Sequence, residues 1–513
     1  MNRKQLRRGG LGLLVSTALV ATLASCAPSA PSSGDGAGGA ATSAIRIGLV
    51  GSSIDEVQPY AQHGSISNLA FYEQVYEGLT ELDSTGAVVY KLAESMEPNE
   101  TLDVWTIHLR DGVTTHNGEQ FTSEDVVESI SWMIDPANAW AFASQLDFVD
   151  PDGITAIDDL TVELKLNKPY GPVPEAFSMD RLVMRSLKGG ASFDEPAGTG
   201  PHKPVSFTAG QEAKVTKFED YWGEPATIDD ITFSYFQEQQ SVTNAIRGGQ
   251  IDVAHGIPFT EVPALEGTDG LELLVSDTAS YPVIPMRMDV APTDDPKVRE
   301  ALRLVVDRQR IVDNAFGGYA SIGNDFVTKN SACTPPDVPQ REQDIEKAKQ
   351  LLAEAGQENL QLELVTDAAF PGMAEMAQLL ADDASKAGVT VSVRKLDVGT
   401  FLNQWLEWPF FIGFTSSPYF VTAKGHFMPG GSENGSHMDD AEYNELAAKL
   451  FATADADEQC GFIAQMQEIE YERGGYIIPV YGQDITVHSD KVKGLQPDLY
   501  GRAAFNLDGV TLG

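Results

Sequence analysis

The segment between Leu360 and Lys395 constrains the fold more than any other part of the chain. Residues 360–365 have the apolar pattern of a strand, residues 371–387 have helical spacing and end at Gly388, and residues 389–395 again have a strand pattern. A strand, a helix and a strand in close succession predict a crossover unit with two parallel strands. We therefore expect an open α/β sheet, which binds ligands in crevices at its edges or at domain junctions.

Helix starts elsewhere support a mixed α/β chain. Asp295 followed by Pro296 is typical of a capped helix, because aspartate accepts the free N–H groups and proline fits the first helical position. Asp344 predicts another helix start, and Gly356 its end. Thr122 precedes two acidic residues and predicts a third start.

Strand patterns also occur in the first half of the chain. Between Trp105 and Leu109, apolar residues alternate with polar or charged ones, which predicts a strand with one buried face. Residues 161–166 have a strand pattern as well. The first half therefore also combines strands with helices.

The N-terminus has the layout of an export signal. Four basic residues within the first eight are followed by an apolar run from Leu11 to Ala24 and by Cys26. The sequence from Leu23 to Cys26 resembles the lipobox of bacterial lipoproteins. That resemblance implies cleavage before Cys26, lipidation of its thiol and a membrane anchor on the extracytoplasmic face of the cell membrane; two or more acyl chains anchor stably.

A flexible tether follows the predicted lipidated cysteine. Residues 27–44 are rich in glycine, serine, alanine and proline, a composition that does not build a packed core. We assign residues 1–25 to the signal peptide and residues 26–44 to the lipidated cysteine and tether. Folded sequence is expected from Ile45 onward.

Composition limits the possible partners. The chain has 513 residues, a length sufficient for two or three domains. Its formal net charge is −40. So acidic a chain is not expected to bind nucleic acid, and its surface is not expected to lie on an anionic bilayer. After the signal, we expect no segment that spans a membrane.

Two cysteines remain if Cys26 is lipidated. Outside the cytoplasm, Cys333 and Cys460 could form a disulfide or remain two buried thiols. The sequence leaves both possibilities open, because it does not give the distance between them.

Several ordered segments resemble one protein family, the extracytoplasmic solute-binding proteins of ABC transporters of the peptide and nickel type, family 5. The resemblance extends from about Ile45 to the C-terminus. It is carried by these segments: Tyr76 to Leu82, Lys91 to Ser95, Leu109 to Val126, Gly198 to Pro201, Tyr221 to Gly223, Ile246 to Asp252, and Asp295 to Leu302 with Asp307 and Arg308.

The resemblance implies a periplasmic-binding-protein-like α/β fold with two main lobes, a two-strand hinge and an extra domain II. It implies a ligand held between the lobes, an ABC permease as partner, and a monomer. The hinge is expected near residues 281–289 and 477–482. The implied domains are domain I from residues 45–78, 200–280 and 480–513, domain II from residues 79–199, and domain III from residues 281–479.

Enzyme signatures are absent from the sequence. It contains no G-x-S-x-G elbow, H-E-x-x-H motif, phosphate-binding P-loop or C-x-x-C pair. We therefore expect reversible binding without a cofactor, not catalysis. A secreted hydrolase and a purely sensory lipoprotein are the alternatives from other functional classes.

The aromatic segment from Gln404 to Phe420 is the strongest candidate for a ligand site. Aromatic side chains give a large contact area at low entropic cost, which suits a cleft. About half of these aromatics are expected to pack the core instead. The side chains expected to face the cleft are Trp405, Trp408, Ser416, Ser417 and Tyr419.

The same segment departs from the family pattern. Peptide-binding members often have Gly-Trp-x-x-Asp here, with the acid bound to the peptide ammonium, whereas this chain has serine at Ser417. Either another acid, such as Glu407 or Asp439, supplies the charge, or the ligand has no free amine there. We expect a small solute, most simply a peptide-like one. A nickel or other metal chelate, an opine and an oligosaccharide are the alternatives.

Two further candidates lie outside this segment. Arg287, in the expected hinge, could bind a ligand carboxylate, although a salt bridge within the protein is the simpler interpretation. His426 and His437 flank a polar loop, and His437 with Met438 and Asp439 could contact a metal chelate. Two histidines alone make a poor metal site, so no metal centre is expected.

Overall fold

The computed structural model describes residues 43–61, 65–328, 331, 333–367 and 370–513. The predicted signal, Cys26 and the tether up to residue 42 lie outside the described residues. Among the described residues, no helix has both the length and the apolar character needed to cross a membrane.

An eight-stranded mixed sheet joins strands from three distant parts of the chain. Its first strand, Ala44–Val50, lies parallel to Asp230–Phe236 and to Val253–Ala254. Ile45, Ile47 and Leu49 are buried in this strand, so the apolar residues at alternate positions face a core. Its other strands are His202–Thr208, Glu212–Lys217, Leu271–Asp277, Ala320–Ile322 and Val480–Ser489.

A separate four-stranded antiparallel sheet lies in the first half of the chain. Its strands are Ala93–Pro98, Val104–Leu109, Val149–Asp158 and Thr161–Leu166. Trp105, Ile107 and Leu109 are buried while the residues between them are partly exposed, as the alternation predicted. The helix Ser123–Ile134 begins after Thr122, whose capping box with Asp125 satisfies free N–H groups of the first turn.

The predicted crossover unit is confirmed. Gln361–Thr366 and Thr390–Lys395 pair in parallel, with Leu364 opposite Val393, and the helix Met373–Ser385 connects them. The helix begins two residues later than predicted. The difference arises because Gly372 has a φ of 81°, a left-handed conformation that interrupts the helix and that glycine adopts without a steric penalty.

The two predicted hinge stretches lie side by side. Tyr281–Pro285 pairs with Tyr476–Ile477, with Ile284 opposite Ile477, and on its other edge with Gly413–Thr415. The long strand Val480–Ser489 then leads from this pairing into the main sheet. The strands near the predicted hinge are therefore joined to the candidate ligand segment by backbone hydrogen bonds.

A buried ion cluster fixes the chain beside these strands. The carboxylate of Asp325 lies 2.6 Å from Arg308 Nη2 and 2.8 Å from Arg341 Nε. It also accepts the backbone N–H of Ile478 at 2.9 Å. All three side chains are almost fully buried. Each buried charge is therefore stabilised by the opposite charge beside it.

Cys333 and Cys460 are joined in a disulfide. Of the two possibilities left open by the sequence, the structure therefore shows the bonded one. The bond attaches the loop around Cys333 to the helix Ala456–Arg473. The predicted caps Asp295 and Asp344 also start their helices, Pro296–Leu304 and Ile345–Glu354.

Shorter or peripheral elements complete the described chain. The remaining helices are Ile66–Val75, Val173–Phe177, Gln239–Arg247, Val262–Leu265, Arg308–Asn314, Val398–Leu402, Tyr419–Thr422 and Ala441–Phe451, with single turns at Pro136–Asn138, Ala143–Leu146, Phe259–Glu261 and Ala423–Phe427. The remaining strands are Glu77–Gly78, Thr80–Leu82, Val88–Tyr90, Val183–Met184, Val492–Lys493 and Thr511–Leu512.

Candidate functional site

A cavity of about 390 Å³ is lined by segments from distant parts of the chain. Residues 482–485 belong to the main-sheet strand Val480–Ser489, and residues 178–181 follow the helix Val173–Phe177. The second half of the chain supplies two wall segments, residues 401–407 and 413–418. A volume of this size falls within the range of about 300–1,000 Å³ for sites that hold small molecules.

Trp405 lines the cavity, where the sequence predicted a ligand contact. It follows the short helix Val398–Leu402, and its ring packs edge-on against Phe411 at a centroid distance of 5.1 Å. A side chain at Gly413 would bring its Cβ within 2.5 Å of the Trp405 ring, so glycine is required there for this close approach. The packing against Phe411 and Gly413 therefore fixes the Trp405 ring in the cavity wall.

Ser416 and Ser417 also line the cavity. They follow the strand Gly413–Thr415, which is fixed by its pairing with Tyr281–Pro285. Phe414 in this strand stacks on Phe370, with ring centroids 3.8 Å apart, and both rings contribute to the cavity wall. The expected combination of aromatic and hydroxyl groups is thus present.

Trp408 and Tyr419 are not among the lining residues, which differs from the sequence-based expectation. Trp408 is 8% exposed, and its indole N–H donates to the Phe401 carbonyl at 3.2 Å. Tyr419 is 1% exposed, and its hydroxyl donates to Glu470 Oε1 at 2.8 Å. Both side chains pack the core, because their polar ends have partners inside the protein.

Arg287 also lies outside the cavity wall, and its guanidinium group is bound within the protein. Its Nε and Nη2 each lie 2.7 Å from a carboxylate oxygen of Asp289. These hydrogen bonds lower the pKa of Asp289 to about 2, and His437 adds to the effect at 3.1 Å. The salt-bridge interpretation therefore describes Arg287, since its partner is only two residues away.

Charged lining residues from other segments were missed by the sequence analysis. Arg181 lies 3.2 Å from Asp180 and 4.6 Å above the Phe142 ring. Across the cavity wall, His255 Nδ1 lies 3.6 Å from Asp484 Oδ1. Burial raises the pKa of Asp484, although His255 opposes this shift.

Glu433 and Arg502 also belong to the charged wall. Burial alone would raise the pKa of Glu433, but the neighbouring His426 and Arg181 hold it below its usual value. Arg502 is bound to Asp498 at 3.1 Å and to Glu73 at 3.2 Å. Asp367, a further buried carboxylate of the wall, directly follows the strand Gln361–Thr366. Its position at the carboxyl end of a parallel strand is a signal that could have identified it from the sequence.

Several buried polar atoms on this wall have no hydrogen-bond partner within the described residues. They include the hydroxyls of Ser280, Thr415 and Ser432 and the indole N–H of Trp405. Ser280 is 6% exposed and Thr415 is 4% exposed. Buried polar groups are normally satisfied, so these atoms are exceptions among the residues that line the cavity.

The two histidines considered for a metal chelate have partners in the protein. His426 Nε2 lies 3.4 Å from Glu433, and His437 bonds to Asp289 and to the Leu406 carbonyl. In the part of the chain that the structure describes, no group of three or more potential metal-ligating side chains is found.

Comparison with known proteins identifies the class. Residues 87–428 match the family model described as bacterial extracellular solute-binding proteins, family 5. The glutathione-binding protein GsiB of Pectobacterium atrosepticum is 27% identical over 358 residues, covering 68% of this chain and 69% of that protein. The chain belongs to the family 5 extracellular solute-binding proteins, which are binding components of ABC transporters and not enzymes.

Solved structures show the same fold. AgaA of A. tumefaciens, in complex with agropinic acid, has a TM-score of 0.83 at 21% identity and covers 92% of this chain and 99% of its own. DppA of Helicobacter pylori, in complex with the peptide STSA, has a TM-score of 0.83 at 20% identity and covers 91% and 98%. The α/β architecture is therefore that of periplasmic binding proteins, as the sequence predicted.

Proposed function

We propose that this protein is the substrate-binding component of an ABC importer and that the cavity beside Trp405 is its solute site. The observation that carries the proposal is the cavity of about 390 Å³ itself, whose wall brings aromatic side chains and hydroxyl-bearing residues together from distant segments. Apolar surfaces with a few placed polar groups are typical of small-molecule sites.

The solute we propose is small and peptide-like. The cavity of about 390 Å³ combines aromatic surfaces with hydroxyls and several carboxylates, which suits a molecule with amide and charged groups. Two proteins similar to this chain are described as binding glutathione and the peptide STSA. AgaA, which is equally similar in fold, holds agropinic acid, so an opine is the second candidate.

The proposed mechanism is reversible capture by closure of lobes about the paired strands Tyr281–Pro285 and Tyr476–Ile477. These strands pair beside the cavity, and the strand Gly413–Thr415 connects them to its wall. A solute that contacts both lobes favours the closed state by its differential affinity for that state. The permease would then recognise the closed, monomeric receptor.

We further propose that lipidation of Cys26 keeps the receptor at the extracytoplasmic face of the cell membrane. The supporting observation is the order of basic, apolar and small residues before Cys26. Metabolic labelling with a fatty acid tests this proposal. The unaltered chain should carry label and the Cys26→Ala variant should not; label on the variant would contradict the anchor.

A thermal-shift screen tests the proposed function. The panel contains di- to octapeptides, opines, nickel with histidine, and oligosaccharides. A true solute at a hundred times its dissociation constant should stabilise the native state by about 2.7 kcal/mol. Stabilisation by peptides alone supports the peptide-like assignment, whereas stabilisation only by opines, chelates or sugars refutes it. A matched Trp405→Ala variant should lose the shift if the cavity is the site.

A further inference from the structure

Carboxylates dominate the charged lining of the cavity. Among the described residues that form its wall, five are acidic and two are arginines. The acidic residues are Asp180, Asp367, Glu407, Glu433 and Asp484; the arginines are Arg181 and Arg502. Carboxylates therefore exceed guanidinium groups by three, in a chain whose formal net charge is −40.

Both arginines already face protein carboxylates. Arg502 binds Asp498 and Glu73 at 3.1 and 3.2 Å. Arg181 lies 3.2 Å from Asp180 and is close enough to Glu433 to lower the pKa of that carboxyl. Arg181 Nε has no acceptor within the described residues. The carboxylates of Asp180 and Glu433 nevertheless already oppose the positive charge of Arg181. The arginines therefore do not leave an excess of positive charge for an acidic solute.

Aromatic side chains line the same cavity as these carboxylates. They include the stacked rings of Phe370 and Phe414 and the indole of Trp405. Aromatic faces attract cations through the ring quadrupole, and this attraction increases when the cation is desolvated.

We infer that the solute bound in this cavity carries net positive charge and sets an ammonium or guanidinium group against the carboxylates of the wall. The inference rests on the proposed function, because it assumes that the cavity is the solute site. A buried cation needs a nearby anion, and here the anions outnumber the cations of the protein. The specificity inferred here therefore differs from that for glutathione, which is negatively charged at neutral pH.

Calorimetry with three matched tripeptides tests the inference on the full chain. The peptides are alanyl-lysyl-alanine, trialanine and alanyl-glutamyl-alanine, which differ mainly in charge. We expect the lysyl peptide to bind at least about tenfold more tightly than the glutamyl peptide. The preference should decrease as salt is added, because screening weakens the attraction between partly exposed charges. Spermidine and citrate form a second, non-peptide pair.

Two variants and a control locate the effect. Asp367→Asn and Glu407→Gln should each reduce the lysyl-to-glutamyl preference several-fold. Asp439→Asn should leave it unchanged, because Asp439 is not among the lining residues and accepts a bond from Asn444.

Each outcome separates the inference from the proposed function. Equal or tighter binding of the glutamyl peptide or of citrate refutes the inference and leaves the solute-binding function intact. Binding of spermidine without any of the peptides supports the inference and refutes the peptide-like assignment. Binding of none of the five compounds refutes the inference, while the wider thermal-shift screen still tests solute binding.

Discussion

Replacing Asp325 by asparagine should destabilise the protein strongly, although the two side chains have the same shape. Asp325 is 1% exposed and accepts from Arg308 at 2.6 Å and from the backbone of Ile478 at 2.9 Å. Arg341 lies 2.8 Å away. Removing the negative charge leaves two buried guanidinium groups without this counter-ion, and breaking such a pair costs about 3–5 kcal/mol.

The surface offers a matched control. Asp382 pairs with Arg310 at 3.1 Å, but its side chain is 65% exposed. The same aspartate-to-asparagine change there should cost at most about 1 kcal/mol, because solvent screens exposed pairs.

Urea unfolding followed by tryptophan fluorescence measures both variants. If Asp325→Asn lowers the free energy of unfolding by no more than Asp382→Asn does, the buried cluster does not stabilise the fold as we argue. Asparagine also tolerates the positive φ of 63° at this position. A backbone strain introduced by the substitution would therefore not explain a loss of stability.

Three further predictions concern the core, a buried acid and the disulfide. Trp408→Ala should lower the free energy of unfolding by about 3–5 kcal/mol, since it empties a core position. Trp405→Ala should cost less stability but weaken binding of alanyl-lysyl-alanine; equal effects of the two variants on binding would contradict the assignment. Burial raises the pKa of Glu470 to about 7, so the stability contributed by its protonated form should be lost as pH rises from about 4.5 through 7. Urea unfolding at several pH values should show this loss for the unaltered chain and not for Glu470→Gln. Replacing both Cys333 and Cys460 by serine should lower stability by about 2–5 kcal/mol, and a denaturation midpoint equal to that of the oxidised parent would contradict this.

Much of the fold could be predicted because local periodicity reflects burial. The parallel strands around the helix Met373–Ser385 and the buried face of Val104–Leu109 both follow from apolar spacing. The helix caps at Asp295 and Asp344 follow from local hydrogen bonding. These features depend on residues close together in the chain, so the sequence contains the necessary information.

The candidate site was predictable only in part, because the cavity wall is assembled from distant segments. Trp405 and Trp408 are both tryptophans of one aromatic segment, yet one lines the cavity and the other packs the core. Composition does not distinguish them, since both positions favour large apolar groups. Tyr419 is held in the core by Glu470, which lies 51 positions later. The pairing of Arg287 could be predicted from the sequence, because its partner Asp289 lies only two residues away.

The disulfide has a consequence for survival outside the cell. The chain between Cys333 and Cys460 forms a covalently closed loop that includes Asp367, Trp405 and Thr415 of the cavity wall. A protease that cuts this loop once leaves two pieces still linked through the sulfur atoms. A receptor nicked there by an extracellular protease would therefore keep the two pieces of this wall attached to the rest of the molecule.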